Sequence, residues 1–317
     1  MFNFTPSSIA VQIGPISVFW YGIAYALGLA LAAWVIAREA RRRGLAVDEL
    51  PNGMIVVAIA AVLGGRAYHV IDQWQLYRDD PLKIILPPYT GLGAYGGIIV
   101  GTIVGILYIR WKRQPVLAWA DAIAPGLFAM QAVARWGNFF NQELYGPPTT
   151  LPWGIPIDCA HRIPAYPCDA FPFELTRFQP LFLYESLSGL LGMLALVWLG
   201  RRFADRLRRG DLLLVFFIWY ASVRFALETL RQDNWTFFGI PTAQIVSAGF
   251  IVGSIAVLAY RHRAGATDQP TTDQPTTDQP TTGQPTTGQP TTGQPTADQP
   301  TTDEAPEPPA PEPTPAD

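Results

Sequence analysis

Arg135-Trp136-Gly137-Asn138-Phe139-Phe140-Asn141-Gln142-Glu143-Leu144-Tyr145-Gly146 comes directly after residues 115–134, an apolar run long enough to cross a bilayer. The stretch sets an arginine, two asparagines and a glutamate at the edge of hydrocarbon. Charge at that depth is costly unless it is paired, hydrated or turned toward a polar substrate, so an ionisable residue there marks a candidate functional site. The plainer reading of Arg135 alone is a helix-end arginine snorkelling to the interface.

The chain is 49% hydrophobic and 15% charged over 317 residues, more apolar than a soluble domain, and nine of its 25 acidic residues fall in a C-terminal tail that holds no lysine or arginine. Nothing in it resembles a nucleic-acid-binding surface. Seven apolar segments follow one another, at about 16–37, 54–71, 91–110, 115–134, 180–199, 212–230 and 241–260. Each approaches the ~20 residues needed to span ~30 Å of hydrocarbon, and none shows the strict alternation of a barrel strand. The expected fold is an all-α integral membrane protein of about seven transmembrane helices.

Basic residues cluster at alternate junctions: Arg38, Arg41, Arg42 and Arg43; Arg110, Lys112 and Arg113; Arg201, Arg202, Arg206, Arg208 and Arg209; Arg261 and Arg263. These are 14 of the 22 lysines and arginines. The positive-inside rule then places these junctions and the C-terminus in the cytoplasm and the N-terminus outside. The first segment has no basic residues before it and arginines after it, so it reads as a retained helix, not a removed signal peptide. Residues 1–15 are expected along the outer interface. Residues 139–180, rich in proline and aromatics, are expected to form a small ordered extracytoplasmic cap within a membrane domain of residues 1–263. Cys159 and Cys168 both fall in this cap, where they either pair or remain free. His161 reads as a surface residue, and without a second ligand at metal spacing no metal or cofactor is expected. From 264 to 317 the chain repeats Asp-Gln-Pro-Thr-Thr and Gly-Gln-Pro-Thr-Thr, a composition that reads as a disordered cytoplasmic tail.

Further candidates lie within the spans. Arg66 follows Gly64-Gly65 and either pairs with Asp72 or Glu143 or faces a substrate. Gly93, Gly97, Gly101 and Gly105 recur every four residues as a packing stripe, while the bare backbone of Gly96-Gly97 at a helix start also suits a phosphate. At 100° per residue, Tyr220, Arg224, Glu228 and Arg231 share one face, either as a self-neutralising pair or as a polar site. Tyr21 and Tyr25 stand where aromatic interface anchors are common.

Gly-Gly-Arg at 64–66, Gly-Gly at 96–97, Arg-x-Gly-Asn-Phe-x-Asn-x-Glu-Leu-x-Gly at 135–146, Pro-x-x-Leu-Tyr-Glu at 180–185 and Arg-Phe-x-x-Glu-x-x-Arg at 224–231 together resemble the bacterial phosphatidylglycerol–prolipoprotein diacylglyceryl transferases. The resemblance covers roughly residues 10–262. It implies a monomeric inner-membrane enzyme that moves a diacylglyceryl group from phosphatidylglycerol, a membrane lipid, to the lipobox cysteine of a preprolipoprotein signal peptide. Tyr95 and Gln179 stand where the family usually has histidine, so neither histidine can serve here as an obligatory base.

The leaving group implied is a glycerol phosphate, whose anion needs cationic partners. Arginine holds phosphate oxygens with a planar fork and stays charged in a low dielectric. Arg135 and Arg224 are therefore the expected clamp, with Asn138 adding donors and Glu143 and Glu228 orienting the arginines. Tyr21, Tyr95 or Tyr220 would contact the headgroup or receive the thiol proton, and Arg66, Gly96 and Gly97 would complete the lipid site. The competing readings are a lipid or anion transporter using the same arginines, and a silent lipid- or lipoprotein-binding relative. No inverted repeat supports the transporter.

Overall fold

A computed structural model of the chain describes residues 5–84, 91–232 and 234–263. The tail expected to be disordered lies outside the described residues. The described part is built on seven α-helices: α1 Trp20–Arg42, α2 Leu50–Asp72, α3 Ala94–Trp111, α4 Val116–Phe140, α5 Leu181–Arg202, α6 Asp211–Glu228 and α7 Thr242–Arg263. All but α6 are long and apolar enough to cross a membrane. α6 falls outside that group while carrying Asp211, Arg224 and Glu228 within its 18 residues. With no water to hydrogen-bond, an apolar backbone satisfies itself internally as helix, and the result is an all-α integral membrane protein.

The expected segments match these helices to within a few residues, with two departures. The first span was expected from residue 16, but Ile16–Phe19 is strand β2, paired antiparallel with β1, Ile9–Ile13. The Gly14-Pro15 turn explains this: Gly14 takes φ +56, the positive value a two-residue hairpin needs at its first turn position, and Ile16 and Val18 favour the strand. The second departure is that α4 runs on to Phe140, so Arg135 and Asn138 project from its last turns and do not follow it as a loop. A second, two-residue ladder, β3 Thr236–Phe237 with β4 Ile240–Pro241, precedes α7.

α4 is the centre of the assembly. It packs against α1 and α5 and touches α6, while α2 pairs chiefly with α3 and α7 with α6. Small residues permit this: a Cβ on Gly28 of α1 would meet Met130 O of α4 at 3.1 Å, and one on Gly189 of α5 would meet Phe128 O at 3.0 Å. Ser186 also donates to Ala132 O at 2.6 Å. In the α2–α3 seam a Cβ on Gly64 would meet Gly96 O at 2.6 Å, and one on Gly96 would collide with Gly64 O. The glycine stripe of α3 is thus a packing seam, in which van der Waals contact replaces the hydrophobic effect that lipid cannot supply.

At the basic end of the helices, buried carboxylates order the ends. Asp121 of α4 accepts from Gly210 N at 2.7 Å, Leu212 N at 2.9 Å and Leu213 N at 3.2 Å, capping α6 from a neighbouring helix. Fully buried Asp211 meets Arg261 at 3.1 Å and His262 at 2.8 Å. Glu39 bonds Arg42 at 2.9 Å and Arg201 at 3.1 Å.

Residues 141–180, between α4 and α5, pack as an ordered cap around Tyr145, Ile155, Ile157, Tyr166 and Phe178. Cys159 and Cys168 are joined in a disulfide. The Tyr145 hydroxyl donates to His161 O at 3.1 Å and accepts from Ile163 N at 2.7 Å, and Arg162 lies 4.4 Å over the Phe178 ring. His161 is a partly exposed partner of Asp158 at 2.5 Å. Burial pushes the Asp158 carboxyl up, but bonds from His161 and Gln142 outweigh this and hold it below the usual carboxylate range.

Gly96→Val forces the α2–α3 backbones apart, and overpacking of this kind costs about 1–3 kcal/mol. Thermal unfolding in detergent should show a lower midpoint for Gly96→Val, whereas Gly22→Ala, whose Cβ meets nothing within 4 Å, should not lower it.

Candidate active site

Three helices end together where the cluster forms. α4 contributes Arg135 and Asn138 from its last turns, α5 contributes Glu185 from its second turn, and α6 contributes Arg224 and Glu228 from its last. Glu185, 3% exposed, is the bridge. Its Oε2 pairs with Arg135 Nε at 2.5 Å and its Oε1 with Arg224 Nη1 at 3.4 Å. Arg224 Nη2 also meets Glu228 Oε2 at 2.8 Å. One carboxylate therefore fixes two guanidinium groups from two other helices. The self-neutralising pair within α6 is real, and Glu185 ties it to α4.

Glu143 joins from the turn after α4. Arg135 Nη1 donates to Asn138 Oδ1 at 3.5 Å, and Asn138 Nδ2 donates to Glu143 Oε1 at 2.7 Å. The turn is strained: Gln142 and Leu144, on either side of Glu143, have φ of +52 and +57. Non-glycine residues persist in that region where the surroundings over-determine them. Here the cap supplies the constraint, because Gln142 Nε2 donates to Asp158 Oδ2 at 2.7 Å and Gln142 Oε1 accepts from Asp158 N at 2.8 Å. Gln142 Nε2 also reaches Pro6 O at 3.3 Å, tying the N-terminal segment to the same turn.

Tyr21 lies over Gly137, where a Cβ would meet its ring at 3.0 Å, and within electrostatic reach of Arg135 and Glu143. Its hydroxyl is 3.2 Å from that of Tyr25. Tyr220 stacks on Phe216 at 5.9 Å and lines a tight crevice, with no room for a water, beside Phe128, Gln131, Glu185 and Arg224. The structure therefore brings together Arg135, Asn138, Glu143, Arg224 and Glu228, with Tyr21 and Tyr220 beside them.

The other four expected residues sit on the α2–α3 pair. Tyr95 is 68% exposed with Tyr68 6.1 Å away, and Gly96 and Gly97 pack against Gly64 and Ala61. Arg66 donates to Lys83 O at 2.8 Å, Ile84 O at 3.2 Å and Gly91 O at 3.3 Å, and lies 5.1 Å over the Tyr77 ring. It fastens the connection from α2 to α3. Glu185 is the member that sequence reasoning quoted without choosing. The signal was available, since a glutamate in the second turn of an apolar span is itself an intramembrane charge.

Two arginines face three carboxylates here. Glu185 and Glu228 hold the forks in fixed orientations, whereas Glu143, expected to orient an arginine, reaches them only through Asn138; each guanidinium carries five N–H donors, more than the carboxylates engage. An oxyanion offered to this cluster meets donors already aimed.

Residues 8–260 match the family model described as prolipoprotein diacylglyceryl transferase. The chain belongs to this family. A relative from Bacillus cereus (strain G9842), named phosphatidylglycerol–prolipoprotein diacylglyceryl transferase, is 36% identical over 263 residues, covering 82% of this chain and 94% of its own. A protein of the same name from Enterococcus faecalis is 37% identical over 258 residues, covering 81% and 91%. One from Bacillus cytotoxicus is 34% identical over 261 residues, covering 82% and 94%. The family match takes in every residue of the cluster, from Tyr21 to Glu228, and stops before the tail.

Glu185→Gln leaves Arg135 and Arg224 without their shared counter-charge. Removing one partner of a buried pair costs about 3–5 kcal/mol, but the arginine side chains are 27% and 23% exposed, and solvent screens part of the loss. The expected destabilisation is nearer 1–3 kcal/mol, read as a lowered unfolding midpoint. An unchanged midpoint would show that the two arginines do not depend on Glu185.

Proposed function

We propose that this enzyme transfers the diacylglyceryl group of phosphatidylglycerol to the thiol of the lipobox cysteine in a preprolipoprotein, the first step of bacterial lipoprotein maturation. The observation that carries the reading is the pair of arginines from α4 and α6 held by one buried carboxylate, in a chain that belongs to the prolipoprotein diacylglyceryl transferase family. The substrate's sulfur attacks the glyceryl carbon that bears the phosphate ester. The carbon–sulfur bond forms, the carbon–oxygen bond breaks, and its electron pair leaves on the oxygen of glycerol phosphate.

Arg135 and Arg224 grip that phosphate and stabilise the charge it gains, the kind of preorganised electrostatic stabilisation that counts most in a water-poor site. Glu185 and Glu228 keep the two forks aimed. Asn138 donates beside them. A cysteine thiol has a reference pKa near 8.5 and sheds its proton as it attacks. Glu143, bonded to the neutral Asn138 and in no ion pair with an arginine among the described residues, suits the role of acceptor. Tyr21 and Tyr220 border the headgroup. Tyr95, exposed on α3, stays a candidate for contact with substrate, whereas Arg66, Gly96 and Gly97 act through the α2–α3 pair.

The enzyme lies in the bacterial inner membrane, with its N-terminus and cap outside and its C-terminus in the cytoplasm. Support comes from the alternating basic junctions and from the cap disulfide, which forms and persists in oxidising compartments. An alkaline-phosphatase fusion after residue 263 is expected to be inactive, and activity there would overturn the orientation.

Arg135→Lys and Arg224→Lys separate a phosphate clamp from an interface anchor. Lysine keeps the charge but loses the fork, and loss of one oriented donor at a developing anion costs on the order of 10²–10³ in rate. Purified enzyme given phosphatidylglycerol and a lipobox peptide, with the cysteine adduct read by mass spectrometry, should show that loss in both variants. Near-normal transfer by both would refute the clamp.

A further inference from the structure

Between α6 and α7 runs an apolar groove of about 450 Å3, lined by Leu214, Phe217, Val246, Gly249, Phe250, Gly253, Ser254 and Val257. Only Ser254 among these residues carries a polar side-chain atom. One wall is formed where Phe217 and Phe250 stack at 5.0 Å. The glycines do not close the gap. In the α2–α3 seam each glycine lies against the facing helix, but a Cβ on Gly249 or Gly253 would meet nothing within 4 Å. The furrow opens on the outer side of the helix pair, where Val246, Gly249, Phe250, Gly253 and Val257 are exposed, so α6 and α7 leave a slot where α2 and α3 form a seam.

The slot is aligned with the clamp. Arg224 lies seven residues beyond Phe217 on α6, which at 100° per residue returns it to within about 20° of the same face and about 10 Å further along the axis. Glu228 falls on that face too. A phospholipid whose phosphate sits at Arg224, near the end of the helix, must run its chains back toward the middle of the bilayer, and the α6 face below Arg224 leads to Phe217 and Leu214. We propose that the α6–α7 groove holds one acyl chain of the donor phospholipid during transfer. The proposal rests on the transferase reading above and adds the subsite for the lipid's tail. Chain recognition comes from fit, because a chain already in lipid gains no hydrophobic free energy on entering the groove.

Two measurements test it. Cys159 and Cys168 are joined, so Gly253→Cys supplies a single free thiol for a bimane label in full-length enzyme in nanodiscs. Phosphatidylglycerol with brominated chains should quench the label more strongly than brominated phosphatidylethanolamine at the same mole fraction, and Arg224→Lys should shrink the difference. Equal quenching by both lipids means that bulk lipid wets the groove, and no quenching means that it stays empty; either result overturns the proposal. Second, Gly253→Leu fills the slot and should lower the ratio of kcat/KM for dipalmitoyl over dihexanoyl phosphatidylglycerol by about tenfold, the scale on which a pocket senses a change of one methylene or so. An unchanged ratio overturns the proposal, and if this variant does not fold, the label experiment decides alone. Wild-type enzyme that transfers nothing to a lipobox peptide would refute the transferase reading instead, leaving headgroup-selective quenching as a separate test of the groove.

Discussion

The carboxylate of Glu185, shared between guanidinium groups of two other helices, is the interaction on which the rest of this architecture depends. A charge carried into hydrocarbon needs partners at fixed distances, and partners on different helices force those helices to converge. The Arg135–Glu185–Arg224 bridge does this for α4, α5 and α6, and Glu228 extends it within α6. The glycines and small side chains between α1, α4 and α5 are the counterpart. They bring backbones close enough for side chains as short as glutamate to span the gap.

The two ends of the bundle solve the same electrostatic problem differently. At the basic end, Glu39, Asp121 and Asp211 are buried and surrounded by arginines, a histidine and backbone N–H groups that leave them well partnered. At the other end the guanidinium groups keep a quarter of their surface, and Asn138 and Glu143 hang from a strained turn that the cap holds in place. The first arrangement is closed and anchors helix ends. The second is preorganised yet accessible, which is what binding an anion at the membrane surface requires.

Much of this was legible in the chain. Length and composition gave the seven helices, because twenty apolar residues in a row have few other ways to satisfy their backbone. The motif at 135–146 and the polar face of α6 pointed to the cluster, since charge inside a span is rarely idle. What the sequence hid was partnership across the fold. Glu185 reads as one glutamate among apolar neighbours until α4 and α6 are placed beside it. Arg66 reads equally as a pairing or a substrate-facing arginine from its sequence, and only the fold shows its bonds to the backbone carbonyls between α2 and α3. The disulfide was an open alternative from spacing alone. The hairpin before α1 had its signal in Gly14-Pro15, but a run of apolar residues at a membrane entry reads as helix unless the turn is weighed first.

The cap that Asp121 provides for α6 also constrains how the molecule is assembled. The first N–H groups of any helix have no partner within it, and those of α6 find theirs on a carboxylate 91 residues earlier in the chain, at 2.9 Å for Leu212. Until α4 is in position, the start of α6 is incomplete. Once it is, the receptor for α6 already stands in the membrane when that helix emerges. α7, which packs on α6 and sends Arg261 and His262 to Asp211, then docks on a surface that α6 has just completed. The order in which the ribosome releases the helices is thus also the order in which their binding partners become available.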